Sequence, residues 1–111
     1  MMTNVNIEKE KDIIVVAVLG HADYDTSGKD IVCAALSAIT QSLLQALRYY
    51  EANGKCKLLT VKESDGAMFF SFRIKDKKCI EPLLNMAVIG YKTLELSYPE
   101  NVNTKFFDMG L

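Results

Sequence analysis

One histidine and three cysteines carry most of the nucleophilic and acid–base chemistry open to this chain of 111 residues. His21 follows Gly20 where a β-branched apolar run gives way to a polar stretch, a place where side chains commonly act on ligands. Cys33 lies in Asp30-Ile31-Val32-Cys33-Ala34-Ala35, at the expected first turn of a helix. The positive end of the helix dipole favours a thiolate there over a thiol. An imidazole within reach would take the thiol proton, or pair with the thiolate as imidazolium, and give a sulfur nucleophile at neutral pH. N–H groups in a first turn lack helical partners, and those of Cys33 and Ala34 could hold the oxyanion formed when a carbonyl is attacked. The small Ala34 and Ala35 leave room for a substrate backbone. Asp30 could orient the imidazole, and Ser37, one turn beyond Cys33, could add a hydrogen bond.

Each residue also has a plainer explanation. A histidine near a cysteine can be coincidence, and a cysteine is often a small buried hydrophobe. Asp30 serves equally as a helix cap, and Ser37 as a packing residue or a hydroxyl bonded back to its own helix. Cys56 and Cys79 fall at an expected strand edge and helix start and read as structural. One histidine with scattered cysteines is too few ligands for a zinc site, so neither a metal nor any other cofactor is expected. The Phe69–Phe72 run reads as sheet core rather than a platform for stacked bases, and Lys75–Lys78 (KDKK) as a solvated turn.

Composition narrows the classes. Half the residues are hydrophobic and 24% are charged, which suits an ordered chain that buries its own core. The length suits a single domain over residues 1–111. The net charge of −1, with both signs mixed along the chain, argues against direct nucleic-acid binding, which wants a basic stripe. The polar Met1–Lys11 has no apolar leader, and the apolar run Ile13–Leu19 is too short to span a bilayer. An odd number of widely spaced cysteines is a poor disulfide framework, so a cytoplasmic location with reduced thiols is expected.

The elements that would position these residues follow from periodicity. Val5 and Ile7 alternate with polar neighbours as in a half-exposed strand, and Glu8–Asp12 reads as a turn. The continuous run Ile13–Leu19 suggests a strand covered on both faces. Ala22–Lys29 is a polar loop. A helix is expected from about Ile31 to Glu51, capped by Ser27 or Asp30, with Val32, Leu36, Ile39, Leu43, Leu47 and Tyr50 buried and Asn53-Gly54 at its end. Lys57–Glu63 and Ala67–Ile74 read as a hairpin about Ser64-Asp65-Gly66, with Met68, Phe70, Phe72 and Ile74 on one face. A second helix should begin near Ile80, with Pro82 in its first turn, and end at Tyr98-Pro99. A short strand is expected around Thr104–Phe107. The fold class is α+β: a mostly antiparallel sheet with two helices packed on it, in ββαββα order.

At Gly20-His21-Ala22, Gly28 and Asp30-Ile31-Val32-Cys33-Ala34-Ala35-Leu36-Ser37 the sequence resembles the ribosomal-processing cysteine protease (Prp) family, and the likeness in length and element order extends over essentially the whole chain. The resemblance implies an endopeptidase that removes the N-terminal extension of a large-subunit ribosomal protein precursor after a hydrophobic stretch containing Phe-Phe. It carries the catalytic pair onto His21 and Cys33, matches Asp30 and Ser37 to motif positions, and maps the family's mobile loop onto Ala22, Asp23, Tyr24, Asp25, Thr26, Ser27, Gly28 and Lys29. It also implies a homodimer. The partner would then be the precursor's N-terminal peptide, with no membrane involved, and the acidic loop would attract basic residues beyond the cut.

Two other readings differ in their expectations. A ribosome-assembly or peptide-binding module would have an inert Cys33 and keep full function as Cys33→Ala. Another thiol enzyme, such as an acyl transferase or a redox sensor, is the second; a sensor would want a resolving cysteine close to Cys33, and none is near in sequence.

Overall fold

The alternation in the first twenty residues becomes a hairpin whose second arm is the centre of the sheet. The computed structural model describes residues 2–21, 25 and 30–107. The described chain runs β1 (Thr3–Glu10), β2 (Ile13–Leu19), α1 (Ile31–Ala52), β3 (Cys56–Ser64), β4 (Ala67–Ile74), α2 (Lys77–Ser97) and β5 (Val102–Phe106). The expected α+β order is observed, and the C-terminal strand begins at Val102. The five strands lie in the order β3-β4-β2-β1-β5. Every pairing is antiparallel except β1 with β5, which is parallel.

The register explains where the core sits. Ile7 faces Val16, Val16 faces Phe70, and Ile14 faces Phe72, so one side of the sheet carries a continuous apolar row. Those residues are buried together with Leu36, Leu44 and Leu47 of α1 and Ile80, Leu84 and Tyr91 of α2. Burying each such side chain contributes about 1.5–3 kcal/mol. Both helices therefore sit on this side. The other side of β2 is less covered than its composition suggests: Ile14 and Val16 are buried, but Ile13, Val15 and Ala17 are half-buried and Leu19 is exposed. The expectation of a strand covered on both faces is corrected to one.

Two boundaries also differ from expectation. β1 continues to Glu10, and the turn is Lys11-Asp12, with Lys11 in the left-handed region at φ 57°. Arg73 Nη1 holds this turn from 3.0 Å on both carboxylate oxygens of Asp12. α2 begins at Lys77 rather than near Ile80, because Asp76 caps it through the Cys79 amide. Half of the KDKK stretch is thus helix, since a cap outweighs the local charge. Pro82 consequently falls in the second turn, where its missing N–H leaves out the bond to the Lys78 carbonyl.

α1 is long and apolar enough, by length and composition alone, to cross a membrane. The sequence reading overlooked this because the run is broken by small polar residues. In the fold its apolar stripe packs on the sheet and α2. Where the helices meet, Thr40 donates to the Leu36 carbonyl at 2.7 Å and lies 2.7 Å from the Tyr91 hydroxyl. A threonine has one hydroxyl proton, so Tyr91 must donate to Thr40. Burial pushes the Tyr91 hydroxyl up to about 12.

Candidate active site

The central strand β2 ends at Gly20, whose backbone needs φ +92°, and a Cβ there would come 2.9 Å from the Met2 carbonyl oxygen. Only glycine fits this close approach. Gly20 is also clamped: its N–H donates to the Gly66 carbonyl at 2.7 Å, and its own carbonyl accepts from Thr3 Oγ1 at 3.2 Å. The next residue, His21, is thereby launched from a fixed point. Its side chain is about half exposed and lies against the β3–β4 turn, with Nε2 3.8 Å from Asp65 Oδ1.

Cys33 comes from the other direction, as the third residue of α1. Asp30 caps that helix with φ −74° and ψ 102°, and its Oδ1 accepts from the amides of Val32 and Cys33, each at 2.9 Å. Asp30 thus acts as the helix cap. The Ala34 amide donates to the Asp30 carbonyl at 3.1 Å. Both amides named for the oxyanion, those of Cys33 and Ala34, are thus engaged within the chain in this structure. The Asp30 carboxylate also brings negative charge to the helix start, where it opposes part of the stabilisation a thiolate would gain from the dipole.

His21 and Cys33 line one open cavity of about 280 Å³. Ser37 lines it as well and is exposed, so it is not a packing residue. Val18, Leu36 and Met68 give the cavity an apolar wall; Glu63 and Asp65 are its carboxylates. Gln41 donates to Glu63 and touches the Met68 sulfur at 3.7 Å, which fixes one side of the opening. Of the three cysteines, only Cys33 reaches this cavity. Cys56 is buried, its thiol directed at the Leu47 carbonyl at 3.3 Å, and burial pushes its pKa up. Cys79 is half-buried at the start of α2.

Of the loop residues, Asp25 is described and exposed; the others, with Tyr24, lie outside the described residues. Among the described residues no cluster of three or more His, Cys, Asp or Glu could hold a metal. The sequence reading missed Thr3, Gln41, Glu63, Asp65 and Gly66. The Asp65-Gly66 turn was legible as a turn, but nothing in the local sequence tells that its tip returns to His21.

Comparison with known proteins decides the family. The model of the cysteine protease Prp matches residues 2–103. The chain belongs to the Prp cysteine protease family. It is accordingly a cysteine protease, in agreement with the resemblance of its motifs. Among solved structures it is similar to SMU.848 from Streptococcus mutans, at 27% identity and TM-score 0.68, over 96% of this chain and 94% of that one. It is also similar to the essential ribosomal processing protease Prp from S. aureus in complex with a covalently linked product peptide, at 25% identity and TM-score 0.73, over 96% of this chain and all 100% of that one. A second S. aureus Prp structure, in complex with a substrate peptide, shares the fold at 24% identity and TM-score 0.68. No curated protein gives a significant match.

Proposed function

We propose that this Prp-family protease removes the N-terminal extension of a large-subunit ribosomal protein precursor, cutting after a hydrophobic stretch that contains Phe-Phe. The observation that carries the reading is that the single histidine and one of the three cysteines line the same cavity. Cys33 is the nucleophile and His21 its base. The Cys33 proton passes to the imidazole as Sγ bonds to the scissile carbonyl carbon. The imidazolium returns that proton to the amine as the C–N bond breaks, leaving a thioester. Water, deprotonated by His21, then attacks the thioester, and the thiol and a carboxylate product are released.

Two features support the substrate class. Val18, Leu36 and Met68 offer an apolar wall beside Cys33 for the hydrophobic stretch. Glu63 and Asp65 put negative charge at the same opening, suited to basic residues beyond the cut. A cytoplasmic location, where thiols stay reduced, suits a cysteine nucleophile. A homodimer is supported by the apolar groove between α1 and α2, about 440 Å³ and lined by Ile39, Leu43, Leu83 and Met86, with Met86, Ile89 and Leu96 exposed along α2.

The test is cleavage of a synthetic peptide carrying a Phe-Phe pair at the cut and lysines beyond it. Wild type should cleave it, and Cys33→Ala and His21→Ala should not. Equal cleavage by Cys33→Ala would end this reading, and full cellular function of that variant would favour a non-catalytic role.

A further inference from the structure

The β3–β4 turn reaches the cavity in a way that concerns His21 rather than the substrate. A Cβ at Gly66 would lie 2.8 Å from His21 Nε2, 3.2 Å from Cδ2 and 3.4 Å from Cε1. Real Cβ atoms do not approach that closely, so the imidazole occupies the space a side chain would fill. Gly66 also accepts the Gly20 N–H through its carbonyl, fixing the backbone that launches His21. The same two-residue turn thus anchors the strand end and seats the ring. Asp65, beside it, is almost fully exposed at 3.8 Å from Nε2, so its charge is largely screened. The seat works through shape.

We propose that Gly66 is a positioning residue for the catalytic base, its missing side chain setting where the His21 imidazole stands relative to Cys33. The proposal rests on the assignment of His21 as the base. A second glycine isolates the effect. Gly54 ends α1 with φ +74° and nothing within 4 Å of a would-be Cβ, whereas Gly66 has φ +73° and the imidazole. An alanine meets the same backbone strain at both positions. Only at Gly66 does it also displace the ring.

The experiment compares Gly66→Ala with Gly54→Ala in the full chain. Both should lose thermal stability by similar amounts. Gly54→Ala should keep its kcat and KM on the synthetic peptide. Gly66→Ala should lose kcat by one to two orders of magnitude, about the cost of a misplaced reacting group, with KM nearly unchanged. The chain has one histidine, so its imidazole Hε1 gives a single assignable NMR signal. That signal should move in Gly66→Ala and stay in place in Gly54→Ala. Gly66→Asn carries a Cβ yet tolerates positive φ better, and it should repeat the kcat loss should Gly66→Ala fold poorly. An unmoved histidine signal, or equal kcat in the Gly66 and Gly54 variants, would overturn the proposal. If that occurs while His21→Ala is inactive, the assignment of the base stands and only the seat fails. Full activity in His21→Ala would instead remove the base itself.

Discussion

The two helices begin alike. Each has an aspartate cap followed three residues later by a cysteine, and in each the cap oxygen accepts from that cysteine's amide, at 2.9 Å for Asp30 and Cys33 and 3.3 Å for Asp76 and Cys79. Both thiols are half-buried in a first turn. The dipole, the cap and the residue types are shared, so none of them explains why one start would be a site. The surroundings differ. The α1 start opens on a cavity with His21, the end of the central strand and the β3–β4 turn. The α2 start lies at the opposite end of the sheet, where Lys55 pairs with Asp76 at 3.4 Å. A helix N-terminus makes a cysteine available; what the α1 start adds is a histidine and a cleft.

The largest expected effect separates the two thiols directly. Cys33→Ala should lower peptide cleavage at least about a thousandfold, and Cys79→Ala should leave it near wild type in the same assay. Next comes the core that both helices share. Phe70 is fully buried between them and the sheet, so Phe70→Ala should cost about 3–5 kcal/mol in denaturant unfolding, with no preference for either helix start.

A smaller effect reads the contact that ties α1 to α2 below the cavity. Because burial holds Tyr91 protonated up to about 12 while an unfolded tyrosine ionises near 10, the unfolded state binds fewer protons above that pH. Stability should therefore fall as pH rises from about 10 to 12, by up to about 3 kcal/mol. Tyr91→Phe, which has no proton to lose, should show a flatter profile in urea titrations across that window.

The caps give the smallest change and return to the comparison. Asp30→Ala should cost about 1 kcal/mol and also reduce cleavage, because the frayed turn carries Cys33. Asp76→Ala should lower the melting temperature slightly and leave cleavage unchanged. The hydrogen bond from the Cys79 amide, with help from Lys55, holds the Asp76 carboxyl below its usual range. Its contribution is therefore present above the ordinary carboxylate pKa and lost as pH falls through the depressed one, so wild type and Asp76→Ala should converge in acid.

This contrast also shows what the sequence makes legible. Gly20-His21 at a strand end and Asp30 to Cys33 at a helix start are local patterns, and the structure places them as read. The stripe of α1 was legible for the same reason, although Ile39 and Tyr50 are only half-buried and Thr40 and Leu44 join the buried face. Asp76 carried the same capping signal as Asp30 but was obscured by its lysine neighbours. What local pattern cannot reveal is who meets whom across the fold. The parallel pairing of β5 with β1, the Thr40–Tyr91 contact and the approach of Gly66 to His21 all join residues far apart in sequence. Engagement of the Cys33 and Ala34 amides was hidden for another reason: a helix start supplies donors, but only geometry tells which acceptors have taken them.

The most direct measurement is the rate at which limiting iodoacetamide alkylates each cysteine, read by peptide mass spectrometry in wild type and His21→Ala. Cys33 should react well ahead of Cys79 and the buried Cys56 in wild type, and it should fall to the rate of Cys79 when His21 is removed. Equal rates at Cys33 and Cys79 in wild type, or a Cys33 rate indifferent to His21, would contradict the account.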